Sequence, residues 1–194
     1  EIGVFEMGSY GLRQVLNPSE LFLSERPLDV PGSVVVASIE GSRPILVELQ
    51  ALVTSSSLGV PRRTVIGIDY NRVSLLIAIL EKKVGLKLMG HDIFVNVAGG
   101  VKVDEPAIDL GTVAVITSSF KERPIPSKTM VVGEVGLAGE IRAISQIEIR
   151  IAEAEKLGFT RCILPKNNLD RLERKASMEL IGVASIKEAL ERML

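Results

Sequence analysis

Ser33-Val34-Val35-Val36-Ala37-Ser38-Ile39, then Glu40-Gly41-Ser42-Arg43-Pro44, then Ile45-Leu46-Val47-Glu48-Leu49-Gln50-Ala51-Leu52-Val53 is the stretch that decides the fold class. The first run is largely β-branched. In the second, Ile45, Val47, Leu49, Ala51 and Val53 alternate with Leu46, Glu48, Gln50 and Leu52. A period of two places alternate side chains on opposite faces of a strand, so these runs about a turn predict a β-hairpin. Downstream, Thr64 to Ile68 adds a short strand. Val73, Leu76, Ile77 and Leu80 form one face of a helix over Asn71 to Val84, stopped by Gly85.

The pattern continues with a strand over Asp92 to Ala98, a helix over Ala107 to Ser119, a strand over Met130 to Val132 and a glycine-punctuated hairpin from Gly133 to Arg142. The last third predicts a helix over Ile147 to Leu157 closed by Gly158, a strand over Arg161 to Leu164, a short helix from about Leu169, a strand over Leu180 to Val183 and a helix over Ser185 to Met193. Ser185 and Glu188 have capping-box spacing, in which each side chain satisfies a free backbone amide at the helix start. Strands interleaved with helices give an α/β class, α+β with a mixed sheet.

Upstream, Arg26-Pro27-Leu28-Asp29-Val30-Pro31-Gly32 carries two prolines and a glycine, which forbid a continuing helix or a central strand. Residues 26–33 therefore read as a linker. It separates residues 1–25, a short piece with Ile2, Val4 and Phe5 that cannot bury a core alone, from a main domain over 34–194.

A hydrophobic fraction of 46% supports a substantial core, while runs such as Val34 to Ile39 and Leu75 to Leu80 fall well short of the roughly 20 residues of a membrane span. Glu1 onward has neither a basic flank nor an apolar export segment, which sets a cytoplasmic expectation. Cys162 lies beside the apolar Ile163 and Leu164 and reads as a buried strand residue. His91, without a second histidine or a cysteine cluster, cannot anchor zinc, so no metal site is expected. The net charge of -1 means that any nucleic-acid footprint must be local.

Glu1-Ile2-Gly3-Val4-Phe5-Glu6-Met7, Gly11-Leu12 and Asn17-Pro18-Ser19-Glu20-Leu21-Phe22-Leu23-Ser24 resemble the end of the RecA-like ATPase core in the bacterial RadA (Sms) DNA-repair family. Ile68-Asp69-Tyr70-Asn71-Arg72-Val73-Ser74-Leu75-Leu76, Val95-Asn96-Val97-Ala98-Gly99-Gly100-Val101-Lys102 and Gly133-Glu134-Val135-Gly136-Leu137-Ala138-Gly139-Glu140-Ile141-Arg142 resemble that family's C-terminal domain. The resemblance implies a Lon-protease-like, ribosomal protein S5 domain 2-like fold. It also implies an intact relative that is a DNA-dependent ATPase using ATP, magnesium and zinc for branch migration of recombination intermediates. Single-stranded and branched DNA, the recombinase RecA and a homo-oligomer, six subunits, are the partners it implies. The sequence has no four-cysteine zinc finger, no G-x-x-x-x-G-K-[ST] phosphate loop and no Lys-Asn-Arg-Phe-Gly motif, so no cofactor and no ATP hydrolysis are expected of this chain alone.

The Gly133 to Ile141 hairpin and the helix after it also resemble the Lon protease segment that bears the catalytic lysine, whose position here is Glu148. Lon's nucleophilic serine aligns with Asp109, ahead of Gly111. A Ser/Lys dyad works because a desolvated lysine accepts the hydroxyl proton, and a carboxylate pair supplies neither nucleophile nor base. Ser118 and Ser119 end a helix and Ser127-Lys128 lies in a Pro-flanked loop, so neither offers a dyad. Asp109 and Glu148 could instead form an acidic pair with mutually raised proton affinities. The competing expectation is two separate acids, solvated or paired with an arginine such as Arg142 or Arg150.

From Pro61 to Lys83 the charges are Arg62, Arg63, Arg72, Lys82 and Lys83 against Asp69 and Glu81, a local balance of +3 that suggests a phosphate-facing patch. An ordinary solvated helix end, with Lys82 and Lys83 complementing the dipole, explains the same residues. Lys102, Lys121 and Arg123 are weaker DNA-binding candidates in or near loops, as is Lys128. With no tryptophan, and tyrosines only at Tyr10 and Tyr70, stacking platforms are scarce and sequence-independent phosphate contact is the expected mode.

Overall fold

The computed structural model describes residues 4–57, 59–173 and 175–194; Ile2 of the first strand piece lies outside the described residues. The elements run β1 (Phe5–Gly8), β2 (Gly11–Gln14), α1 (Pro18–Leu23), β3 (Ser33–Glu40), β4 (Arg43–Ser55), β5 (Arg63–Ile66), α2 (Tyr70–Ile79), β6 (His91–Val97), α3 (Asp109–Lys121), β7 (Thr129–Val131), β8 (Glu134–Val135), β9 (Ile141–Arg142), α4 (Ile147–Lys156), β10 (Arg161–Pro165), α5 (Lys166–Leu169), β11 (Glu179–Val183) and α6 (Ile186–Met193). A π-helical turn, Leu80–Val84, extends α2 to Gly85, whose φ of 82° is the left-handed stop expected of a glycine.

Seven strands form one sheet in the order β11-β10-β7-β3-β4-β6-β5. The β3–β4 and β4–β6 ladders are antiparallel, and β3–β7, β7–β10, β10–β11 and β5–β6 are parallel, which makes the sheet mixed as expected. The hairpin register pairs Glu40 with Arg43 across Gly41-Ser42. Pro44 is tolerated inside β4 because β6 pairs only with Leu49 to Ser55, so at Pro44 the strand has a partner on one side alone.

Helices cover both faces. Val34, Val36, Leu49, Val131 and Ile163 point into a core shared with α2, α3 and α6, while Val35, Leu46, Met130, Cys162 and Leu164 point into a second core with α4. This is why β4 is buried on both faces through its middle and alternates only toward its end. Among the described residues, no helix is long and apolar enough to cross a membrane.

Two expectations are corrected. The helix placed from about Leu169 ends there: Pro165 closes β10, and Asn168 locks the turn by exchanging hydrogen bonds of 2.8 and 2.9 Å with the backbone of Ile144. At α6, Ser185 accepts from Glu188 N at 3.3 Å, but Glu188 returns its bond to Ala184 N at 2.8 Å, one residue before the cap. Of residues 26–33, read as a linker, Ser33 opens β3 and the other residues lie outside helix and strand, and the stretch is tied down. Arg26, its side chain 5% exposed, donates to Ser127 O at 2.8 Å and pairs with Glu48. Burial lowers the Arg26 pKa, and Glu48 and Asp29 oppose that shift.

Candidate functional site

Asp109 opens α3 directly after a 3-10 turn, Pro106–Ile108, and is 1% exposed. Arg72, in the first turn of α2, donates Nε to Asp109 Oδ1 at 2.9 Å, a second nitrogen to Asp109 Oδ2, and that same nitrogen to Val135 O at 3.0 Å. Val135 N donates to Asp109 Oδ2 at 3.1 Å, so the carboxylate clamps α2, α3 and β8 together. The hydrogen bond to Asp109 raises the Arg72 pKa further. Three of the roughly four lone-pair sites of this carboxylate already accept bonds, and both oxygens are engaged.

Glu148 does not join Asp109. It is exposed, and its helix α4 packs on the opposite face of the sheet from α3. The acidic-pair alternative is thereby corrected, and so are the suggested arginine partners. Arg142 binds Glu140 and Arg150 binds Glu105. Sequence reasoning missed this Arg150–Glu105 pair. Arg150 is 0% exposed and donates to Ala37 O at 2.5 Å and Ser145 O at 3.1 Å, while Glu105 also accepts from Ile39 N at 2.9 Å. The signal was present: Ile147, Arg150, Ile151 and Ala154 follow the i, i+3, i+4, i+7 stripe, so a charged residue occupies an apolar-face position.

The predicted basic patch divides. Arg62 and Arg63 lie at the start of β5 and Arg72 beyond its end, separated by roughly 10 Å of strand, so the three do not surround one connection. Arg62 donates to Asp92 Oδ2 at 2.8 and 3.0 Å and covers the Phe94 ring at 5.8 Å. Arg63 is spent on the carbonyls of His91 and Leu88, and Lys102 pairs with Asp104 at 2.8 Å. Lys82, Lys83, Lys121 and Arg123 are exposed and, among the described residues, have no acidic partner. Lys187, in the first turn of α6, shares a cleft with Lys121 and Arg123.

Cys162 is the sole thiol and is buried in β10, and among the described residues no group of three His, Cys, Asp or Glu side chains converges. His91 instead packs edge-on against Phe120, ring centres 5.1 Å apart.

The glycine hairpin is built by its own side chains. Glu140 folds back so that a Cβ on Gly136 would fall 1.9 Å from its Oε1, and it accepts from Ala138 N at 3.1 Å. Residues 54–168, more than half of the chain, match the family described as subunit ChlI of Mg-chelatase. Proteins named DNA repair protein RadA are 55% identical over 194 residues in Bacillus subtilis, 53% over 191 in Halalkalibacterium halodurans and 50% over 194 in Listeria monocytogenes. The chain belongs to the RadA family and, through residues 54–168, to the family described as subunit ChlI of Mg-chelatase. These matches cover 98% to 100% of the chain but 42% of each RadA relative, so this RadA-family chain spans less than half the length of the relatives it matches. The hairpin and the Arg72–Asp109 clamp both fall inside the stretch shared with the second family.

Proposed function

We propose that this chain is the DNA-contacting and ring-assembling part of a larger DNA-dependent ATPase that acts in DNA repair on recombination intermediates, by branch migration. The observation that carries the reading is the 55% identity over all 194 residues to a protein named for DNA repair. ATP turnover belongs to the remaining length of such a protein, and DNA, RecA and further copies of the chain are its partners in a cytoplasmic hexamer. Peptidase chemistry is not part of the proposal, because Asp109 stands at the serine position as a clamped carboxylate and Glu148 at the lysine position. Casein hydrolysis by a clean sample would overturn that exclusion.

A second reading is an assembly scaffold without DNA contact, favoured by the commitment of Arg62, Arg72 and Lys102 to acids. Fluorescence anisotropy of the 194-residue chain with a labelled single-stranded oligonucleotide across a salt series separates the two. Affinity that falls steeply with salt supports DNA contact. Absent binding from a chain that sediments as a ring leaves the scaffold.

A further inference from the structure

We infer that the chain carries a phosphate-binding cleft for single-stranded nucleic acid where the ends of α2 and α3 meet one face of α6, with Lys83, Lys121, Arg123 and Lys187 as its cations. The inference rests on the proposed DNA contact and moves it away from Arg72. Lysines in the last turn of a helix ordinarily complement the dipole, which accounts for Lys83 and Lys121 taken one at a time but not for Lys187 in the first turn of α6. Topology changes that. Strands β6, β7 and β11 run parallel to one another through the ladder, α2 and α3 each return to the edge where β6 and β7 begin, and α6 returns from β11 to the same edge. The two basic ends, Lys83 after α2 and Lys121 on α3, are therefore brought beside α6, whose first turn carries Lys187.

The resulting cleft encloses about 440 Å³, with Val84 and Leu190 as an apolar floor, Lys121, Arg123 and Lys187 on its walls and Glu191 as its acid. Lys83 adjoins it through the glycine hairpin: a Cβ on Gly139 would meet Lys83 Cγ at 3.4 Å and Ile186 Cδ1 at 3.5 Å. Among the described residues, none of the four cations has a carboxylate within ion-pairing distance, whereas Arg62, Arg72 and Lys102 each do. An unpaired cation binds phosphate without first breaking an internal salt bridge. The concave shape with an apolar floor suits a flexible strand, which can lay backbone on the walls and sugar or base on Val84 and Leu190, better than a rigid duplex.

The test is anisotropy with a fluorescent oligothymidylate and the 194-residue chain, comparing wild type with the combined Lys121→Gln, Arg123→Gln, Lys187→Gln variant. Losing three phosphate contacts should flatten the slope of log affinity against log salt by about 2 and weaken binding roughly 100-fold at 0.1 M salt. A variant with Lys166→Gln, Arg171→Gln and Lys175→Gln removes the same charge elsewhere and should stay within about threefold of wild type, the size of a non-local charge effect. Wild type that binds, with a triple variant of unchanged slope or a control that loses as much, overturns the cleft while leaving DNA contact standing. Wild type without salt-dependent binding overturns the proposed DNA contact itself. Circular dichroism establishes that the variants fold; should the triple variant fail, Lys187→Gln alone should flatten the slope by about 0.7, and no change there overturns the inference.

Discussion

Asp109 is held by two donors of Arg72 and by Val135 N, and its value to the fold is that of a charge with every partner in place. Asp109→Asn keeps the volume, removes the charge and turns a donor toward a donor. Breaking a fully buried pair costs 3–5 kcal/mol. Arg72 has a side chain 31% exposed and keeps access to water, so a loss of about 2 kcal/mol is expected, read as a lower midpoint in urea at unchanged slope. Asp92 behaves differently under acid. Backbone and side-chain hydrogen bonds from Arg62 hold its carboxyl below the usual range. A group depressed in the folded state stabilises above its unfolded value, about 3.9, and that contribution disappears as pH falls through the folded value. Melting temperature followed from pH 6 to 2.5 should therefore fall more steeply below pH 4 in wild type than in Asp92→Asn. Parallel curves would show that Arg62 gives Asp92 no net preference for the anion.

Gly111 shows why elements were easier to read than their contacts. The apolar run from Leu110 to Ile116 announces a helix, but only the structure reveals that a Cβ at Gly111 would lie 2.2 Å from Val36 Cγ1. Gly111→Ala gains up to about 1 kcal/mol of helix propensity and meets a β-branched side chain on a buried central strand that cannot swing aside. Overpacking of this kind costs about 1–3 kcal/mol, so the variant should be less stable than wild type by thermal and urea unfolding. A more stable variant would mean that α3 slides freely on β3. The hairpin, the mixed sheet and most helices were legible because period-two and period-3.6 patterns act over neighbouring residues. The short helix at Lys166–Leu169 was misplaced because four residues carry too little periodicity, and its bounds are set by Pro165 and the tertiary Asn168–Ile144 exchange. In the candidate site, residue types were legible and pairings were not. Whether Arg72 faces solvent or Asp109 depends on how α2 meets α3, and nothing in the spacing of 72 and 109 encodes that.

At the scale of the whole molecule, the N-terminal residues contribute unequally. Among the described residues, strands β1 and β2 pair only with each other, and Met7, Tyr10 and Leu12 are 77%, 106% and 69% exposed. A two-stranded hairpin without a covering layer is marginal by itself and adds little to the body it extends from. Helix α1 is another matter. Ser19 in it is 0% exposed, accepts from Leu46 N at 3.0 Å and donates to Glu153 at 2.9 Å, closing the second core over β4. Removing residues 1–16 should therefore leave the melting temperature within about 2 °C of the full chain, the scale of a change under 1 kcal/mol for a protein of this size. Removing residues 1–25 leaves the Leu46 amide without its partner, about 1–3 kcal/mol. It also uncovers Leu46 and the Glu153 side of α4. A total near 3 kcal/mol should lower the midpoint by roughly 10 °C. Calorimetry of the two truncations alongside the full chain decides the matter. Equal losses would make the hairpin an integral layer of the fold, and no loss in either would move the start of the domain from α1 to the Arg26 anchor.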